Sequence, residues 1–190
     1  MICNGFCYFY GLQLQMFPPE QFKKLQKDKI QTNPGMKELV IVETDLNNPK
    51  HAEAVLFSTD QYARDAMGMK RPLDENVKKQ LIGRLKEFPS YVGFLAFMDD
   101  QPAGVANCVY SFSTFKAQKV INIHDLAVNP QFRGNGIGEA LLAEVERKAI
   151  KENCCKVTLE VREDNRARNL YERAGFSYGE PRMFFMEKEI

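Results

Sequence analysis

Apolar and polar positions along this chain change period several times, and each change marks an element boundary. Leu39 to Thr44 has the β-branched content of a strand, and Pro49 to Met67 follows a helical period before a loop through Gly68 and Pro72. Asp74 is suited to cap a second helix reaching Phe88, whose apolar face should bury Val77, Leu81, Ile82 and Leu85. Tyr91 to Met98 and Ala103 to Phe112 read as strands joined by a tight turn at Asp99, Asp100, Gln101 and Pro102. Val120 to Val128 is the next strand. A glycine-bearing loop then opens a helix to about Lys151, with Ile137, Leu141, Leu142, Val145, Ala149 and Ile150 on a broad apolar face. Lys156 to Val161 alternates like a strand, Asp164 to Ala174 is helical with Gly175 as its C-cap, and Arg182 to Glu187 is expected to close the sheet.

The order is therefore β-α-α-β-β-β-α-β-α-β, an α/β (α+β) domain without internal repeats. Ahead of it, Pro18 and Pro19 can open a short helix to about Ile30 that carries Phe22, Leu25 and Ile30 near one face. Asn33, Pro34 and Gly35 then read as a linker. Since M-K-E-L-V-I-V starts a strand directly at Met36, residues 1–36 are expected to be an N-terminal extension and residues 37–190 the domain proper.

Composition narrows the function classes. A chain of 190 residues with 44% hydrophobic content can build one domain with a sizeable core. Its 26 basic and 25 acidic residues carry no electrostatic footprint for nucleic acid or an anionic membrane, so neither is expected as a partner. The five cysteines form no C-x-x-C pair, and the two histidines, His51 and His124, lack ligand spacing; reduced thiols, a cytoplasmic location and no metal are the expectation. The first seventeen residues are apolar but lack a basic start and are broken by Asn4, Gln13 and Gln15, unlike an export signal.

The stretch H-D-L-A-V-N-P-Q-F-R-G-N-G-I-G-E, from His124 to Glu139, concentrates the chemistry. Gly134, Gly136 and Gly138 remove three Cβ atoms where a strand turns into a helix, so backbone N–H groups can approach an anion closely. The helix start adds free donors and the positive end of its dipole, and Arg133 adds a guanidinium. A P-loop would need lysine and a hydroxyl after the last glycine, where Glu139 and Ala140 stand. A dinucleotide fingerprint would need G-x-G-x-x-G in an early strand-loop-helix unit, whereas this G-x-G-x-G comes late.

The run Arg133, Gly134, Asn135, Gly136, Ile137, Gly138 matches [QR]-x-x-G-x-[GA]. L-A-V-x-P precedes it at Leu126 to Pro130, and L-Y-x-x-x-G-F follows at Leu170 to Phe176. In these features, from about Glu38 to Ile190, the chain resembles the GNAT (GCN5-related) N-acetyltransferases. The resemblance implies a mixed, mostly antiparallel sheet of six to seven strands flanked by helices, and acetyl-CoA as co-substrate. It places the pyrophosphate on Arg133 to Gly138 with the Glu139 N–H, and the pantetheine arm against backbone groups of Leu126, Ala127 and Val128. It makes Tyr171 the proton donor to the leaving thiolate, for which a phenol with an ordinary pKa of about 10 is protonated at neutral pH.

In some members of the family the base, a glutamate or histidine, lies on this strand, and the resemblance puts it at Asn122 or His124. Strict alternation would put Asn122, His124 and Leu126 on one face and Ile123, Asp125 and Ala127 on the other. Asn122 cannot accept a proton, so His124, with an ordinary pKa near 6.5, is the candidate; Asp125 or a water chain remains an alternative. The family often carries asparagine seven residues before this tyrosine; here that position is Asp164 and the asparagine is Asn165, carried forward as a cofactor contact. Either the register slips by one or Asp164 only caps the helix. Cys108 is read as a buried strand cysteine and not as a nucleophile.

The resemblance implies an acceptor held by Asp60 to Pro72, Ser111 to Lys119 and Phe176 to Phe185. These segments mix Tyr62, Phe112, Phe115, Tyr178 and Phe184 with Asp60, Arg64, Asp65, Lys70 and Arg71. The expected reaction is direct ternary-complex transfer of acetyl to a primary amine of a small molecule or peptide. The alternative is a catalytically inactive CoA-binding regulatory module. A homodimer is compatible with either, and a larger acyl donor stays open.

Overall fold

The computed structural model describes residues 38–190, so the helix expected from Pro18, the linker at Asn33 and the boundary at Met36 lie outside the described residues. The described elements are β1 (Leu39–Glu43), α1 (Pro49–Arg64), α2 (Glu75–Glu87), β2 (Tyr91–Met98), β3 (Gln101–Ser113), β4 (Gln118–Val128), α3 (Ile137–Lys151), β5 (Lys156–Leu159) and α4 (Arg168–Arg173). The five strands form one sheet in chain order, antiparallel throughout except for the parallel β4–β5 pair.

Helices cover both faces. The apolar stripe of α3 (Ile137, Leu141, Leu142, Val145, Ala149) packs with Phe94, Ala106, Ile121 and Ile123 on one side. Ala54 and Val55 of α1 pack with Leu95, Phe97, Val105 and Ala127 on the other. With both faces covered, every residue of β2 from Val92 to Met98 is buried, and the strand reads as a continuous apolar run instead of an alternation.

Local chemistry accounts for the boundaries. Asn48 and Asp74 each cap a helix by accepting an N–H two residues on, from Lys50 at 3.0 Å and from Asn76 at 2.8 Å. The β2–β3 hairpin turns on Asp99 and Asp100 alone, both left-handed (φ 48° and 63°), the backbone that a two-residue turn of matching twist needs. Gln101 and Pro102, expected in the turn, already belong to β3. Pro102 brings no N–H to the ladder, and the β2–β3 register shifts beside it, between Ala96 and Phe97.

Three further expectations fail. The α2 face is not buried: Val77 is 44% exposed and Leu81, Ile82 and Leu85 only partly covered, because α2 lies at the periphery, where only Ile82 and Leu85 reach the second cluster. Ile150, at the last turn of α3, is 70% exposed. Arg182 to Glu187 forms no strand, so among the described residues the sheet has five strands, not the expected six or seven. Apolar content does not make a strand without a ladder partner, and Met183, Phe184, Phe185 and Met186 remain exposed.

Candidate functional site

β4 changes character at its middle. Its first half is paired on both edges: Val120 to Ile123 meets Lys156 to Leu159 of β5 and the far end of β3. The parallel ladder stops at Ile123–Leu159. From Asp125 to Val128 only the β3 edge is paired; among the described residues the other edge meets no strand, although Arg133 Nε donates to Val128 O.

A register shift marks the same point. Asn107 pairs with Asp125 and Cys108 with Ile123, so His124 is the extra residue of a β-bulge and is exposed. The bulge reverses the parity of the strand. Ile123 and Leu126, expected on opposite faces, both join the α3-side core, while Ala127 joins the α1-side core. The strict alternation read from the sequence is thereby corrected.

Beyond Val128, Asn129 is 1% exposed and fastens the chain: its N–H donates to Ala103 O, and its side-chain amide to Pro102 O at 2.7 Å and Ser58 Oγ at 3.2 Å. A short 3₁₀ turn (Pro130–Phe132) follows, then Gly134 and Gly136 at φ 81° and 74°, where any Cβ would be strained. Gly138 matters for another reason. A Cβ there would stand 3.0 Å from Leu170 and 3.7 Å from Val128, so glycine lets α3 start close against α4. Among the described residues, the N–H groups from Gly134 to Glu139 find no acceptor; Ala140, donating to Gly136 O at 3.0 Å, is the first that does. That row of open donors at a helix start, with no Cβ at Gly134, Gly136 and Gly138, fits a diphosphate.

Strand edge and loop open into one cavity of about 570 Å³ lined by Tyr62, Asp65, His124, Leu126, Ala127, Val128, Arg133, Gly138, Glu160, Asn165 and Tyr171, among others. Tyr171 is 9% exposed and stands edge-on to Phe176 at 6.1 Å; burial pushes its phenol up to about 12, so it holds its proton throughout the physiological range. Cys108 is fully buried and its thiol is pushed up to about 12, mainly by burial, which leaves no thiolate for nucleophilic work.

Other expected residues sit differently. Asn135 folds its amide back onto Phe132 O and Arg133 O, and Glu139 is exposed. Asn165 lines the cavity but spends its side-chain oxygen on the Ala167 N–H at 2.9 Å, shaping the turn into α4. Asp164 is gripped by Arg162 at 3.0 and 2.8 Å, and α4 starts only at Arg168. Asp125 accepts from Asn107, which also donates to Thr59 and accepts from Tyr91. Asp60 is occupied by Arg64, Lys78 and the Leu73 N–H, so it braces α1 against α2. Among the acceptor segments only Tyr62, Asp65 and Met67 reach the cavity; Phe112, Phe115 and Phe184 are 62%, 102% and 89% exposed.

Glu160 is the residue that sequence reasoning missed. It lies just past β5, where the two parallel strands diverge, and Asn122 holds its carboxylate with contacts of 3.1 and 3.2 Å. The general signal was available: ligands gather beyond the carboxyl ends of adjacent parallel strands.

Residues 58–176 match the model of the acetyltransferase (GNAT) family. The fold is also that of several solved structures. An aminoglycoside N-acetyltransferase in complex with CoA superposes with a TM-score of 0.66 at 17% identity, over 84% of this chain and 100% of that one. A ribosomal-protein-alanine N-acetyltransferase from Brucella melitensis biovar Abortus 2308 gives 0.61 at 17% identity, over 80% and 100%. An acetyltransferase from Trypanosoma brucei gives 0.60 at 18% identity, again over 80% and 100%.

Proposed function

Because this chain belongs to the GNAT family of acetyltransferases, we propose that it is an N-acetyltransferase that transfers an acetyl group from acetyl-CoA directly to a primary amine, with both substrates bound together. The observation that carries this reading is one cavity that the unpaired end of β4, Arg133 and Gly138 of the glycine loop, and the buried phenol of Tyr171 all line. Acetyl-CoA supplies an activated thioester and a thiolate leaving group. The chain supplies the rest. The N–H groups at the start of α3 hold the diphosphate, the edge of β4 holds the amide-bearing arm, and a β4 N–H polarises the thioester carbonyl. His124 takes the proton from the amine, and Tyr171 returns one to the departing sulfur.

An amine as acceptor is supported by two structural neighbours that are named N-acetyltransferases, although their acceptors are their own. Glu160 is a second reading for the base, favoured by its fixed carboxylate in the same cavity.

The test is amine-dependent release of CoA thiol over an amine panel, after CoA binding has been confirmed by thermal shift. Release that fails in Tyr171→Phe supports the proposal; CoA binding with no release on any amine supports the inactive CoA-binding module instead. Substitution then separates the bases: if His124 is the base, His124→Gln lowers kcat far more than Glu160→Gln does, and the reverse order assigns the base to Glu160.

A further inference from the structure

The one arginine of the phosphate loop is already engaged. Arg133 donates from Nε to Val128 O at 3.1 Å and from Nη2 to Asp65 Oδ2 at 2.7 Å. Nε and Nη2 together form one of the two guanidinium edges that can grip a phosphate with two parallel bonds, and with Nε on Val128 O and Nη2 on Asp65 that edge is taken. Asp65 is the C-cap of α1, and the two residues face each other across the mouth of the cavity that both line.

Asp65 is fixed independently of this pair. Its other carboxylate oxygen accepts the Met67 N–H at 2.8 Å, and its carbonyl accepts from Gly68 and Lys70, so the turn after α1 holds the side chain in place. The Met67 hydrogen bond, followed by Arg133, holds the carboxyl below the usual range. Asp65 therefore stays anionic when Arg133 leaves. Arg133 is its ion-pair partner among the described residues.

We propose that the Asp65–Arg133 pair is an exchange latch. The diphosphate of the donor takes the guanidinium from Asp65, and the freed carboxylate, facing Tyr62 and Met67 in the same cavity, then receives the ammonium of a cationic amine acceptor. The donor must bind before the acceptor site acquires its charge, and an acceptor with a second cationic centre is favoured. This inference rests on the proposed function, since it needs a diphosphate-bearing donor.

The experiment is a double-mutant cycle read by CoA titration, with thermal melts to verify folding. Asp65→Asn keeps the acceptor for Met67 but removes the charge, and Asp65→Ser, whose hydroxyl can also accept that N–H, is the second variant. In the wild-type background either change should tighten CoA binding about two- to fivefold, the scale of a half-exposed ion pair. In an Arg133→Gln background the gain should vanish, because there is no guanidinium left to release. An unchanged or weakened affinity in both Asp65 variants, or an equal gain with and without Arg133, would overturn the latch. For any amine that the wild type turns over, Asp65→Asn should raise the amine KM even as CoA binds more tightly; an unchanged amine KM would also overturn it. If the wild type binds no CoA, the proposed function itself fails, and the latch with it.

Discussion

The two halves of β4 share one strand and have opposite uses. From Val120 to Ile123 both edges are paired, Val120, Ile121 and Ile123 are buried, and the end is anchored by Lys119, which bonds Glu152 at the close of α3. From His124 to Val128, among the described residues, one edge has no strand partner, and the backbone donors from Gly134 to Glu139 also go unanswered. The difference is made by the stop of β5 at Leu159 and by the bulge at His124. A closed ladder stores stability, whereas an open ladder beside a glycine loop keeps hydrogen-bonding capacity for a ligand, and the first half makes the second affordable.

The comparison would break most visibly at Tyr171, which faces the open half. Tyr171→Phe keeps the ring packed on Phe176 but removes the proton donor, so kcat should fall about a hundredfold or more with CoA affinity nearly constant, as steady-state kinetics and titration would show. A fall in CoA affinity alone would assign the tyrosine to packing. The alkaline limb adds a second check. Because the folded-state phenol is pushed up to about 12, from about 10 unfolded, its contribution to stability is complete below pH 10 and is lost as pH rises toward 12. Melting temperatures across that window should fall less steeply in Tyr171→Phe than in wild type.

Gly136→Val sharpens the contrast at the loop. A side chain forced into the left-handed region costs about 1–2 kcal/mol of stability. The displaced N–H row should weaken CoA binding about tenfold or more by titration, a larger loss than for an equally destabilising change elsewhere.

Two smaller effects belong to structure alone. Asn129→Ala leaves Pro102 O and Ser58 Oγ without their donor and should cost about 1–3 kcal/mol in denaturant unfolding. Glu152→Gln tests the anchored end of β4. Hydrogen bonds from Lys119, followed by Lys148, hold this carboxyl down to about 2, so its stabilisation is present above about pH 4.5 and disappears as pH falls toward 2. The variant should lose about 1 kcal/mol at pH 7, converge with wild type in acid, and keep its kcat.

Much of this division was legible in the sequence, and the parts that were not share a cause. Gly134, Gly136 and Gly138 announce an anion loop because only a backbone with missing Cβ atoms can present that row of donors. Capping and turn residues such as Asn48, Asp74, Asp99 and Asp100 act within a few positions of themselves, so local chemistry reveals them. The bulge does not. It arises from the pairing of Asn107 and Cys108, on the neighbouring strand, with Asp125 and Ile123, and no period within β4 records it. Glu160 was missed because its importance depends on where β4 and β5 part. The strand expected from Arg182 to Glu187 is the converse case: an apolar run announces burial, but only a neighbour with a free ladder can provide it.

Amide hydrogen exchange with and without CoA tests the central claim most directly. The account predicts slowed exchange at Leu126 to Val128 and at Gly134 to Glu139, with Val120 to Ile123 unchanged. CoA binding that leaves both open stretches as fast as before, or that protects residues away from this cavity, would contradict it.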